Sequence, residues 1–151
     1  MILDKINSPA DVKNLSVNDM NCLADEIREA LFNRLTKIGG HFGPNFGFVE
    51  ATIAMHYVFN SPTDKFVFDV SHQSYTHKIL TGRKAGYIDD TRFAEDSGYS
   101  NPEESEHDFF NIGHTSTSVA LALGLAKGRD ILGRKENIVA VIGDGSLSGG
   151  E

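Results

Sequence analysis

The sequence predicts an α/β fold, a parallel sheet flanked by helices, and three observations carry that prediction. A long amphipathic helical pattern fills 17–37. Two short apolar, β-branched runs, Lys65-Phe66-Val67-Phe68-Asp69-Val70 and Ile138-Val139-Ala140-Val141-Ile142, each end in polar residues, and an apolar helical stretch over 119–131 lies between them. Strand, helix, strand in that order is the unit from which open parallel sheets are built. With 151 residues, 40% of them hydrophobic, the chain is long enough for one such domain and short for two.

Each element has a local cause. Ser16-Val17-Asn18-Asp19 resembles a capping box with Asp19 in place of the usual Glu or Gln, so a helix starts there. Leu23, Ile27, Ala30, Leu31, Arg34 and Ile38 continue with helical spacing, Glu26 and Glu29 fall on the polar side, and Gly39-Gly40 supplies the stop. Cys22 is expected inside this helix as a buried, inert thiol. The denser apolar stretch 48–59, in which Glu50 and His56 are the strongly polar residues, predicts a buried helix with His56 satisfied on its inner face. The turn Asn60-Ser61-Pro62-Thr63-Asp64 introduces the first strand, which delivers Ser71-His72-Gln73 at its carboxyl end. His77 and Lys78 are expected on a local helix surface. Residues 81–107, rich in Gly, Asp, Glu and Ser, predict a long loop or a set of short turns. Gly113-His114-Thr115-Ser116-Thr117-Ser118 opens the helix over 119–131, which Gly133 closes. Apolar residues on more than one face of that helix predict burial between subunits as well as in a core.

Composition excludes several classes of function. The net charge of −7, from 21 acidic against 14 basic residues, and the lack of a Lys/Arg stripe argue against nucleic acid. One cysteine allows neither an internal disulfide nor a cysteine metal cluster. The start Met1-Ile2-Leu3-Asp4-Lys5 does not resemble a signal peptide, and no apolar run approaches the roughly 18 residues of a membrane span, so the expected compartment is the cytoplasm. The six histidines do not form the paired spacing of a zinc metalloprotease.

The candidate site follows from three placements. Gly143-Asp144-Gly145-Ser146 ends an apolar strand with a carboxylate between two glycines, a way to hold a metal-bound diphosphate. Ligands of open α/β sheets bind outside the carboxyl ends of strands, where Ser71-His72 also falls. Gly113-His114-Thr115 precedes a helix whose free N–H groups favour an anion. One carboxylate does not complete a magnesium shell, so further ligands are expected from elsewhere.

Five blocks in order now carry a resemblance: Gly39-Gly40-His41-Phe42, 48–60, 69–83 with Asp69-Val70-Ser71-His72-Gln73, Gly113-His114-Thr115-Ser116-Thr117-Ser118, and Gly143-Asp144-Gly145. Together they are similar to the amino-terminal domain of the 1-deoxy-D-xylulose-5-phosphate synthase family. The resemblance implies a Rossmann-like thiamine-diphosphate-binding fold, with 1–151 as a diphosphate-binding (PP-type) domain truncated at its carboxyl end. It implies a transferase that decarboxylates pyruvate and joins the two-carbon fragment to glyceraldehyde 3-phosphate. The products are 1-deoxy-D-xylulose 5-phosphate and carbon dioxide, on the route to isoprenoids, thiamine and pyridoxal. Thiamine diphosphate and Mg2+ are the implied cofactors, and a homodimer the implied assembly.

Carried over by position, Asp144 matches the family's magnesium ligand, and Gly145 and Ser146 match residues whose backbone approaches the diphosphate. His72 and His114 match cofactor-binding histidines, His72 also serving catalysis. Gly113 and Thr115 complete the helix-start block, Thr115 keeping the hydroxyl of a serine often found there. His41 matches a histidine near the reacting carbon, placed to shuttle protons or steady an oxyanion. Three positions depart from the pattern: Ser71 where glycine is usual, Thr76 where proline is usual and His107 where tyrosine is common. The family's second magnesium ligand, an asparagine, lies further beyond Gly-Asp-Gly than the seven residues that follow Asp144 here. The family's second domain, with the glutamate that activates the aminopyrimidine and the basic residues for the acceptor phosphate, is also outside this sequence. The chain alone is therefore expected to be catalytically silent and to bind thiamine diphosphate weakly. Two alternatives stand beside this reading: a subunit of a split transketolase, and a non-catalytic truncated interaction module.

Overall fold

The structure, a computed structural model, describes residues 1–149, and they fall into two compact units. The first comprises 1–60 and 73–98, the second 61–72 and 99–149.

The first unit is helical: α1 (Ile2–Lys5), α2 (Pro9–Val12), α3 (Val17–Ile38), α4 (Phe42–Phe46), α5 (Val49–Val58), α6 (Tyr75–Lys78) and α7 (Ala85–Ile88). The capping box forms as expected: Ser16 Oγ accepts from Asp19 N at 3.1 Å and Asp19 Oδ2 accepts from Ser16 N at 3.2 Å. Gly39, with φ of 80°, ends α3 in a conformation that a side chain resists. The apolar stripe of α3, Leu23, Ile27 and Leu31, is buried with Val49 and Ile53 of α5 and with Tyr75 and Tyr87. Arg34 belongs to the same stripe because its guanidinium lies 4.5 Å from the Tyr87 ring centroid and donates to Phe93 O at 2.9 Å and Asp96 O at 3.1 Å.

Two burial expectations are corrected here. Cys22 is exposed, not buried. It precedes Leu23 by one residue, about 100° around the helix, which turns it off the apolar stripe. His77 and Lys78 are buried rather than on a surface, at 1% and 0% exposure. His77 Nδ1 lies 2.9 Å from Nε2 of the equally buried His56, and Lys78 Nζ donates to Ser97 O at 2.9 Å. His56 is buried in α5 as expected, whereas Tyr57 and Val58 on the same helix are exposed, so the stretch 48–59 is buried on one side only. Residues 81–107 include short turns: a π-type turn at Ile79–Arg83, α7, and a 3-10 turn at Asp90–Arg92.

The four-residue α1 is clamped at both ends. The Glu26 carboxylate accepts from the N–H groups of Ile2 and Leu3 at 3.0 and 2.6 Å. Lys84 Nζ donates to the carbonyls of Leu3, Asp4 and Ile6 at 3.2, 2.8 and 2.6 Å. Charge of each sign sits at the helix end that favours it. Lys84→Met is expected to lower the stability of this unit by about 1–2 kcal/mol, read by urea denaturation. An unchanged midpoint would remove the clamp from the account.

The second unit contains β1 (Lys65–Phe68), α8 (Ser118–Ile131), β2 (Ile138–Val141) and α9 (Asp144–Leu147). The strands pair in parallel from Lys65↔Ile138 to Phe68↔Val141, so their carboxyl ends finish level. Asp64 fixes this register from the other end, accepting from Asn137 N at 2.7 Å and Nδ2 at 3.0 Å. Val67, Ile112 and Ala122 form the core, with Leu121 and Leu125 of α8 against them. The α/β class is therefore observed, as a small parallel sheet of two strands with α8 packed against it. The other faces of α8 are open: Leu123 is 57% and Ile131 85% exposed. Among the described residues no helix is long and apolar enough to cross a membrane.

Candidate functional site

Beyond β1 the chain makes a tight reversal in which two residues with side chains, Val70 and Ser71, have φ of 59° and 69°. This left-handed conformation is costly for a residue with a side chain, most of all for the β-branched Val70. Here the Ser71 hydroxyl donates to Ile112 O at 2.7 Å and accepts from Ser100 N at 2.8 Å. The reversal presents His72, half-buried, at the carboxyl end of β1.

Asp69, the first residue past β1, organises the surroundings. It is 2% exposed, and its Oδ1 accepts from Thr117 N and Ser118 N at 2.9 and 3.1 Å. Its Oδ2 accepts from Ser116 N at 3.0 Å and Thr115 Oγ1 at 3.4 Å. Burial pushes this carboxyl up, and the amides of Ser116, Ser118 and Thr117 more than offset it, leaving the pKa below the usual aspartate value. The sequence-based expectation that the α8 N-terminus offers free N–H groups to a diphosphate is thereby corrected. The protein's own carboxylate takes the amides of residues 116 to 118, and what remains exposed is the loop Gly113-His114-Thr115. Sequence reasoning did not single out Asp69. The available signal was an aspartate closing an apolar strand upstream of a Ser/Thr-rich helix start that does not cap itself by a side chain.

Thr115 and Ser146 meet directly, their hydroxyl oxygens 2.8 Å apart, and Ser116 Oγ donates to Ser146 O at 2.7 Å. Ser146 lies in α9 two residues after Asp144, whose side chain is exposed in the first turn. Open space adjoins Gly145 and Gly113 where a Cβ would project. His114, exposed, places Nδ1 2.8 Å from Thr115 O. A carbonyl only accepts, so Nδ1 carries the proton, and Nε2 donates to an anion only when the ring is doubly protonated. The second unit thus brings together His72, Gly113, His114, Thr115, Asp144, Gly145 and Ser146 on the segments that follow its two strands and precede α8. His41 belongs to the first unit. It immediately precedes α4, its Nδ1 is 3.2 Å from Tyr75 Oη, and Asn45 Nδ2 donates to its carbonyl at 2.7 Å. His107 pairs with Ser61, Nδ1 to Oγ, at 2.8 Å.

The arrangement suits a hard cation with a phosphate group. Asp144 supplies a carboxylate, Thr115 and Ser146 supply hydroxyls, and Gly145 supplies backbone without a side chain in the way. Among the described residues no group of three His, Cys, Asp or Glu side chains is placed around one metal position. Magnesium does not need one, being commonly held by one or two carboxylates with phosphate oxygens and water.

Comparison with known proteins decides the family. The family model described as 1-deoxy-D-xylulose-5-phosphate synthase matches residues 3–151. The chain belongs to the 1-deoxy-D-xylulose-5-phosphate synthase family. It is 50% identical over 150 residues to a 1-deoxy-D-xylulose-5-phosphate synthase of Dictyoglomus thermophilum, 99% of this chain and 24% of that protein. It is 51% identical over 149 residues to the synthase of Natranaerobius thermophilus and 50% over 149 residues to that of Chlorobaculum tepidum, with the same coverage of 99% and 24%. The chain thus spans about a quarter of the length of the curated synthases it matches. Every candidate position, from His41 to Ser146, lies inside the region matched to the synthase family.

Proposed function

We propose that this chain is the diphosphate-holding part of a thiamine-diphosphate-dependent transferase that condenses pyruvate with glyceraldehyde 3-phosphate, giving 1-deoxy-D-xylulose 5-phosphate and carbon dioxide. The observation that carries this reading is the grouping of an exposed carboxylate, an open glycine turn and exposed donors beyond the carboxyl ends of two parallel strands, in a chain of this family. In this reading 1–151 forms a Rossmann-like PP-type domain. The pyrimidine-activating glutamate and the acceptor-phosphate residues come from the part of the relatives that this chain does not span. A cytoplasmic homodimer is the assembly the family implies.

Thiamine diphosphate, when bound, supplies the electron sink that decarboxylation and carbon–carbon bond formation require. Asp144 would hold Mg2+, which would supply positive charge against the diphosphate. Gly145 and Ser146 let the diphosphate approach the backbone, the absent Cβ of Gly145 leaving the space. Gly113 and Thr115 shape the opposite loop, and His114 donates to a phosphate oxygen from Nε2 in its cationic form. His72 would donate an N–H to the cofactor or to negative charge developing beside it. His41 enters by its motif position, as the group that moves protons at the reacting carbon.

A chimera joining this chain to the remaining sequence of the Dictyoglomus thermophilum synthase tests the reading. It is expected to consume pyruvate in the presence of glyceraldehyde 3-phosphate and to ignore xylulose 5-phosphate as a donor. Turnover of xylulose 5-phosphate would favour the transketolase reading. A folded chimera with neither activity would favour the non-catalytic module, which the exposed Leu123 and Ile131 of α8 also suit.

A further inference from the structure

The geometry points to Asp69 as a positioning residue, one that holds the Gly143–Ser146 turn through two hydroxyl side chains without touching the cofactor; this rests on the diphosphate reading above. Three observations converge on it. First, the buried carboxylate takes three successive amides, those of Ser116, Thr117 and Ser118, which ties the entry to α8 to the end of β1. Second, Ser116, one of those three residues, has φ of 63°, a left-handed conformation uncommon for a residue with a side chain. Its amide is held by Asp69 Oδ2, and its Oγ reaches Ser146 O at 2.7 Å. Third, Thr115 Oγ1 lies between Asp69 Oδ2 at 3.4 Å and Ser146 Oγ at 2.8 Å.

The two hydroxyls divide the work. Ser116, its amide held by Asp69, donates from Oγ to Ser146 O, and Thr115 donates from Oγ1 to Ser146 Oγ at 2.8 Å while lying 3.4 Å from the Asp69 carboxylate. The carboxylate thus sets the place of the turn through the residues that grip Ser146. It stands to the binding residues as outer-shell partners stand to metal ligands, where loss typically weakens binding about 10- to 100-fold.

The test uses the 151-residue chain with Asp69→Asn and, independently, Ser116→Ala, which leaves the Asp69 carboxylate and all its amide donors in place. Hydrogen exchange of the cofactor-free protein is read at Leu147 and Gly149, whose amides bond Gly143 O and Ser146 O. Both variants are expected to speed exchange there by about tenfold or more, while α3 amides stay unchanged. Unchanged exchange at 147 and 149 in either variant, with loss confined to the start of α8, would reduce Asp69 to a local helix cap and overturn the proposal. Ser116→Ala decides the matter if Asp69→Asn does not fold. A parallel titration with thiamine diphosphate and Mg2+ is expected to show affinity about 10- to 100-fold weaker in both variants. Absence of binding in the parent chain would refute the diphosphate reading for this chain and leave the exchange result to stand alone.

Discussion

Asp144→Ala is expected to abolish magnesium-dependent binding of thiamine diphosphate while leaving the fold intact. The side chain is exposed in the first turn of α9, so its removal sacrifices no packing. It is the carboxylate that the glycine turn presents to the proposed cation, and its loss leaves magnesium to water, diphosphate and neutral oxygens. The effect should exceed the roughly 10- to 100-fold typical of an outer-shell partner. Calorimetric titration with thiamine diphosphate, with and without Mg2+, reads the affinity, and thermal denaturation checks the fold. A variant that keeps its magnesium-dependent affinity would move the cation site away from Asp144.

Asp69→Ala carries the largest expected cost in stability. It leaves the amides of residues 116 to 118 without their shared acceptor, each such loss worth about 1–3 kcal/mol, and the costs are not fully additive. A total of roughly 3–5 kcal/mol is a large part of the 5–15 kcal/mol that usually separates folded from unfolded protein. The second unit is therefore expected to unfold at a lower urea concentration, with the loss of β1 and β2 signal. The effect depends on pH in a determined direction. The folded-state pKa of Asp69 is lowered, so its contribution is fully present above the unfolded value of about 3.9 and is lost as pH falls through the folded value. The stability gap between parent and variant should be widest at neutral pH and narrow below about pH 4. A gap that stays constant down to pH 2 to 3, on the order of one unit below that range, would show that the carboxylate charge is not what caps α8.

The elements set by local sequence were legible. The Ser16–Asp19 cap and the Gly39 stop act within a few residues, and α3 runs between them as the pattern indicates. The two β-branched runs became strands whose level carboxyl ends gather the Gly-Asp-Gly turn and the Gly-His-Thr loop, as the motif spacing implied. What escaped the sequence depends on partners distant along the chain. Asp69 meets amides 47 to 49 residues away, and nothing local distinguishes it from a turn aspartate. His77 and Lys78 read as surface groups because charged and imidazole side chains usually are. They are buried because His56, 21 residues earlier, and Ser97, 19 residues later, receive them. Cys22 missed the interior by one helical position. The anion-binding reading of the α8 start failed for a related reason: the rule that free helix amides attract anions held, and the anion is the protein's own.

The most direct measurement is a nitrogen-15 NMR titration of the 151-residue chain with thiamine diphosphate, in the presence and in the absence of Mg2+. The account predicts that amides of residues 113–115 and 143–146 shift together, and only when cofactor and metal are both present. Shifts that are absent from these two segments, or that appear equally without Mg2+, would contradict the placement of a metal-bound diphosphate beyond the ends of β1 and β2.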